Sequence, residues 1–273
     1  MSNPALTYHT FAPPPSLARY VRFFWNLEGE LSPGHVYTHH AMADVCPELI
    51  FHYNELFTVL PEDETANYLS FSGVQGQTKH TSRYRVSRNF GLFGVYLYPY
   101  TLLVLLHLPA SELTNEYVHL NDLLGKEGEE LEEKMMLATN TQQRIYLVSN
   151  FLEGKLRKAA PLLPGMKETI QQIRQSRGTC KIKELAHHTC LSERQFERNF
   201  KHVTGFSPKL FSRIIRFQAV FNQYRTGPHK TLTELAFQCG YYDQSHFIED
   251  FKLFSGHNPK KFFTEKASGL PWV

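Results

Sequence analysis

The last third of this chain says the same thing twice, and that repeat limits its possible folds more than any other feature. Ile182-Lys183-Glu184-Leu185-Ala186, followed by Phe196, Phe200, Gly205, Pro208 and Phe211, returns as Leu232-Thr233-Glu234-Leu235-Ala236 with Phe247, Phe251, Gly256, Pro259 and Phe262. The offset is 50 residues up to the turn and 51 after it, so the copies differ by one inserted residue. Each copy reads as two short helices. In the first, residues 181–188 suit a helix and Cys190-Leu191 breaks it. Ser192 then stands as an N-cap with Gln195 three residues on, the pairing of a capping box. With Phe196, Phe200 and Val203 as the buried stripe, a rotation of about 100° per residue puts Arg194, Arg198 and Lys201 on the opposite face. In the second copy Asp243 takes the cap, Phe247, Phe251 and Phe254 form the stripe, and Ser245, Glu249 and Lys252 face outward. Two equivalent helix-turn-helix outlines, about 181–204 and 231–255, suit a protein that reads two equivalent surfaces, and DNA presents one on every turn.

Between the copies, Ser207 caps a third helix that starts with Pro208 and carries Leu210, Phe211, Ile214, Ile215 and Phe217. The pattern runs to residue 224. A helix of about 18 residues spans roughly 27 Å, which suits a spacer holding two recognition helices about 34 Å apart, in two successive major grooves on one face of a duplex. Charge supports a polyanionic partner. The net charge of +3 conceals −5 over residues 1–166 and +8 over residues 167–273, so the basic surplus lies with the repeat.

At this point residues 167–264 resemble the DNA-binding domain of the AraC/XylS family of bacterial transcription regulators. The residues that carry the likeness are Glu184-Leu185-Ala186, Ser192, Arg194, Phe196, Arg198, Phe200-Lys201, Gly205 and Ser207-Pro208 in the first unit. In the second they are Glu234-Leu235-Ala236, Gly240-Tyr241, Asp243-Gln244-Ser245-His246-Phe247, Phe251-Lys252, Gly256 and Asn258-Pro259. The resemblance implies an all-α C-terminal domain of seven helices, with two helix-turn-helix units joined by a long helix. Arg194 and Arg198 are the first candidates to read bases, since arginine pairs bidentately with guanine. Ser192 and Gln195 lie beside them, and Lys201 is placed to meet phosphate. In the second unit Gln244, Ser245 and His246 sit near the helix N-terminus and are the first candidates to reach bases, with Glu249 and Lys252 further along. Many relatives carry arginine where Glu249 stands. A carboxylate there repels phosphate or accepts from a cytosine amino group, and the reading favoured is a weaker second contact. RNA polymerase is a further candidate partner.

The first part of the chain reads differently. Short apolar and aromatic runs at 21–28, 35–41, 49–53, 68–73, 82–86 and 90–97 are separated by Gly, Pro and Asn, as strands joined by turns are. They imply a β-rich barrel or sandwich, followed by helices after Pro99, over the acidic run 127–134 and over 142–156. Pro161-Leu162-Leu163-Pro164-Gly165 punctuates the chain like a linker. The expected division is therefore residues 1–160, a β-rich sensing or dimerisation domain with trailing helices, and residues 167–266, the DNA-binding domain: an α+β protein overall. This half also resembles the N-terminal domain of one group of AraC-type regulators, through Tyr8, Pro13-Pro14-Pro15, Leu17, Val21, Phe24-Trp25, the strand Cys46-Pro47-Glu48-Leu49-Ile50-Phe51, Gly73, Gly94-Val95 and Leu108-Pro109-Ala110-Ser111-Glu112-Leu113-Thr114. Glu48 replaces the family's usual Asp, and Ala43-Asp44-Val45 its Pro-Asp-Gly. The likeness implies a cupin-like domain that senses an unnamed small-molecule effector or forms a homodimer.

Of the histidines His35, His39, His40 and His52, the pair His39 and His52 near Glu48 raises a metal site of two imidazoles and a carboxylate, but the spacing fits no tight ligand motif and His39 and His40 face opposite ways on a strand. Cys180, His187, His188 and Cys190 likewise lack the Cys-x-x-Cys spacing of zinc sites. No metal and no cofactor is expected. Nothing in the sequence forms a nucleophile triad, a phosphate loop or a paired carboxylate site, so an enzyme is not expected. The competing reading is a cupin-like small-molecule-binding protein or metal enzyme with a helical regulatory domain. Four scattered cysteines and no run of about 18 apolar residues point to a cytoplasmic chain without a membrane span.

Overall fold

Alternation of inward and outward side chains explains where the strands form, and in the computed structural model, which describes residues 5–60, 67–226 and 231–265, they sort into two sheets. The larger is antiparallel, in the order β1 (Ala5–Phe11), β2 (Val21–Glu30), β9 (Phe90–Leu97), β4 (Glu48–His52), β7 (Ser72–Gln75) and β10 (Tyr117–His119). The smaller runs β3 (Tyr37–Ala41), β8 (Ser82–Val86), β5 (Thr58–Val59) and β6 (Asn67–Tyr68). Five of the expected strands are present with small shifts in their ends. The run expected at 68–73 is instead split between the two sheets. Its backbone turns where the Ser70 hydroxyl donates to the Ser72 carbonyl at 2.7 Å. The sequence reading missed β1, β5 and β10. β1 carries Thr7, His9 and Thr10 and has β2 as its partner strand, so no long apolar run marks it.

Register sets the two faces of the larger sheet. Leu49 pairs across from Val95 and Val74 and, with Phe24, Phe51 and Phe93, belongs to the main core. The alternate residues Trp25, Gly94, Ile50 and Gly73 line up across β2, β9, β4 and β7 on the opposite face. There glycine is a requirement of space: a Cβ on Gly94 would lie 2.0 Å from the Trp25 indole. Between the sheets Leu27, Tyr37, Phe57, Val86, Phe90 and Leu92 form a second, smaller apolar cluster.

The helices after the strands are α1 (Thr101–Leu106), α2 (Leu120–Leu124), α3 (Lys126–Leu137) and α4 (Thr141–Leu156). α3 carries the acidic run, with Glu127, Glu129, Glu130 and Glu133 in solvent, and α4 is capped by Asn140, which accepts from Gln143 N at 2.9 Å. No helix or strand forms over residues 157–165. Seven helices then follow among the described residues: α5 (Met166–Gln175), α6 (Ile182–His188), α7 (Glu193–Thr204), α8 (Pro208–Thr226), α9 (Leu232–Gln238), α10 (Gln244–Ser255) and α11 (Pro259–Glu265). The main apolar core does not stop at 157–165. It runs from Leu49 and Phe93 of the sheet through Leu105 and Val148 to Phe200, Phe217 and Phe254. Polar bonds cross the same seam, with Ala43 N donating to Phe254 O at 2.8 Å and the Arg174 guanidinium lying 5.3 Å over the Tyr98 ring.

Candidate nucleic-acid interface

The first unit is built from its cap outward. Gln195 N donates to Ser192 Oγ at 3.3 Å, and Ser192 N donates back to Gln195 Oε1 at 3.2 Å, so the capping box is closed and α7 starts where the sequence places it. Phe196, Phe200 and Val203 are all fully buried, and Phe200 meets Phe211 of α8 edge-on at 5.3 Å. Burying each such ring contributes roughly 1.5–3 kcal/mol, which fixes the rotation of α7 about its axis. That rotation leaves Arg194, Gln195, Arg198 and Lys201 exposed. Ser192, Arg194, Gln195 and Arg198 together line an open groove of about 510 Å³. Among the described residues neither arginine nor Lys201 is in a salt bridge, so their charge is available to an anion. Gln195 differs from its neighbours, because its Oε1 is already held by Ser192.

The second unit repeats the frame. His246 N donates to Asp243 Oδ1 at 2.8 Å, and Phe247, Phe251 and Phe254 are fully buried, Phe251 and Phe254 against Phe217 of α8 and Phe247 against Tyr241 and Phe251. Both α7 and α10 end on a glycine in the left-handed region, Gly205 at φ 79° and Gly256 at φ 70°, where other residues are strained. Gln244, Ser245, Glu249 and Lys252 are exposed. His246 is drawn back instead, its ring edge-on to Tyr241 at 5.6 Å and its Nε2 4.0 Å from Asp250 Oδ2.

Asp250, the acidic neighbour of Glu249, does not face outward. It is fully buried, and Arg213 of α8 donates to its Oδ1 from Nε at 3.1 Å and from Nη2 at 2.6 Å. Of the acidic pair only Glu249 is presented. The sequence reading also passed over Tyr242, which is 88% exposed beside the Asp243 cap. α8 extends over 19 residues, and Ser207 Oγ accepts from Leu210 N at 3.3 Å to cap it.

The histidines and Glu48 lie elsewhere. His39 packs near the Tyr37 and Tyr84 rings, and burial, with His40 alongside, lowers its imidazole to about 4. His52 is fully buried against Phe57, and burial lowers it to about 4. Glu48 accepts from Trp25 Nε1 at 2.7 Å, and burial together with Asp44 pushes its carboxyl up to about 8. Among the described residues no three His, Cys, Asp or Glu side chains gather as a metal site would require. No described helix is long and apolar enough to cross a membrane.

Residues 185–265 match the model of a helix-turn-helix domain, and residues 9–119 match a domain of unknown function (DUF6597). Among characterised proteins, the HTH-type transcriptional regulator ArgR of Pseudomonas aeruginosa is 26% identical over 151 residues, which are 55% of this chain and 44% of ArgR. The match thus takes in less than half of that relative's length. Among solved structures, ToxT from Vibrio cholerae superposes with a TM-score of 0.48 at 11% identity, covering 88% of this chain and 98% of ToxT. The C-terminal domain of AraT, a response regulator from Geobacillus stearothermophilus, covers 39% of this chain and 89% of its own at a TM-score of 0.35 and 21% identity.

Proposed function

We propose that this chain, whose C-terminal domain is a helix-turn-helix domain of the AraC type, is a transcription regulator that lays α7 and α10 in successive major grooves of duplex DNA. One observation carries the reading: two capped helices, each anchored by three buried phenylalanine or valine side chains, turn their polar residues outward. In the first unit Arg194 and Arg198 read base edges, Ser192 and Gln195 frame them, and Lys201 binds phosphate. In the second, Gln244 and Ser245 reach bases, His246 supports them from the side, Lys252 binds phosphate and Glu249 weakens the contact. The β-rich part senses a small molecule or pairs two copies of the chain, so the protein acts in the cytoplasm by binding rather than by catalysis.

Selection of bound sequences from a random duplex pool by the full chain tests the proposal. Recovery of two boxes about one helical turn apart supports it. Recovery of a single box would leave α7 as the reader and remove α10 from the site, and a pool that stays random would overturn the reading altogether.

A further inference from the structure

Both recognition helices end against one short loop of the β-rich part, the segment 76–81 that joins β7 to β8. At the end of α7, Thr114 Oγ1 donates to Gly205 O at 3.3 Å. Gln77 Nε2 donates to Thr114 Oγ1 at 2.7 Å and to Ala110 O at 2.6 Å. The approach is so tight that a Cβ on Gly205 would lie 1.5 Å from Gln77 Nε2. Gln77 is fully buried at this joint. At the end of α10 the partner is Thr81, four residues further along the same loop: a Cβ on Gly256 would lie 2.8 Å from Thr81 Cγ2. Beside it Ala43 N donates to Phe254 O at 2.8 Å, and the His40 and His257 rings lie 5.4 Å apart.

The loop is itself held firmly. Asp44 and Thr78 exchange both backbone hydrogen bonds, at 2.9 and 2.8 Å, and Lys79 N donates to Asn115 Oδ1 at 2.9 Å. The Asp44 carboxylate accepts from Cys46 N at 2.8 Å and from the Tyr96 hydroxyl, and it also bonds Gln218 of α8. A phenylalanine stripe fixes how a helix is rotated about its axis but leaves it free to tilt on its bed. A second point of contact at the helix end removes that freedom. Here Gln77, together with the Thr114 that it holds, meets the end of α7, and Thr81 meets the end of α10; the loop carrying Gln77 and Thr81 is tied through Asp44 to the helix between them.

We propose that the loop 76–81 fixes the separation and tilt of α7 and α10, so that the β-rich part determines which spacing between two DNA boxes the protein accepts. Gln77 and Thr81 are its positioning residues, acting on the DNA through the ends of the two helices. The proposal rests on the DNA-binding reading above. One base pair more or fewer between the boxes moves the second groove by about 3.4 Å along the duplex and turns it around the axis, and a reader with a fixed separation rejects that displacement.

The test uses the full chain and three kinds of duplex: both selected boxes at the selected spacing, the same boxes with one base pair added or removed, and the first box alone. The parent should prefer the selected spacing by about tenfold or more. In Gln77→Ala, and in Thr81→Leu, which enlarges the side chain against Gly256, that preference should fall to about threefold or less while affinity for the single box stays within about twofold of the parent. Thr81→Ser should retain the parental preference. Variants that keep the full spacing preference would overturn the proposal, and so would variants that lose single-box affinity to the same extent as two-box affinity. A parent that binds one box tightly and ignores the second also sinks it while leaving the regulator reading intact; a parent that binds no duplex sinks that reading instead.

Discussion

In the first helix-turn-helix unit the exposed side of α7 carries Arg194, Arg198 and Lys201, while the matching places on α10 hold Ser245, Glu249 and Lys252. Behind them the anchors correspond one for one: Phe196, Phe200 and Val203 against Phe247, Phe251 and Phe254, all fully buried. The comparison separates what folds a unit from what it says. Burial of the stripe, the cap and the terminal glycine are common to both, and solvent-facing positions, which contribute little to stability, have diverged. The divergence reaches the interior too, where Val203 of the first unit gives way to Phe254 of the second, and it changes charge at one place. Asn199 of the first unit is half-buried, whereas Asp250 at the same position of the second is fully buried on Arg213.

The largest effect tests the shared frame. Phe200→Ala and Phe251→Ala should each destabilise the protein by roughly 3–5 kcal/mol, read from the midpoint of denaturant unfolding. If one of them costs much less than the other, the two frames are not equivalent. Next comes the interior difference. Asp250→Asn, which gives the second unit the residue of the first, weakens the bond to Arg213 and should cost about 1–3 kcal/mol, while Asn199→Asp should change stability by less than about 0.5 kcal/mol. Equal costs in the two variants would erase that distinction.

The outer faces are tested with the selected duplex at fixed salt. Arg198→Ala should lose at least about tenfold in affinity, within the roughly 1–3 kcal/mol of a bidentate base contact, and an unchanged affinity would take Arg198 out of the interface. The smallest effect expected is from Glu249→Arg, which restores the cation that the first unit has: affinity should rise about threefold and the slope of log affinity against log salt should steepen by about 1. Unchanged or lower affinity in that variant would mean that the carboxylate accepts from a base and that the second unit reads sequence in its own right.

Most of the frame of the candidate interface was legible because it is local. The capping box at Ser192, the Asp243 cap, both stripes and the long helix from Pro208 each depend on residues within two turns of one another, and the geometry places them within a residue or two of expectation. The inward turn of Asp250 was legible as well, since it lies three residues beyond Phe247 and four before Phe254, on the buried side of the wheel. The retreat of His246 onto Tyr241 needed coordinates. So did the loop 76–81: nothing in Gly76-Gln77-Thr78 marks a glutamine destined to lie fully buried against a glycine 128 positions later, because contacts between distant segments leave no periodicity behind. β1 escaped notice for a related reason, since a strand at the rim of a sheet with mixed side chains lacks the apolar run that betrays a central one.

The unbroken interior that joins sheet to helices bears on how the molecule can be handled. A protein whose halves share their packing has no clean place to be cut: freed from Ala43, the helical fragment would bare greasy surface around Phe254 that the whole chain keeps dry. Such a fragment would clump, and any influence of the sheet on the helices would be lost with the seam.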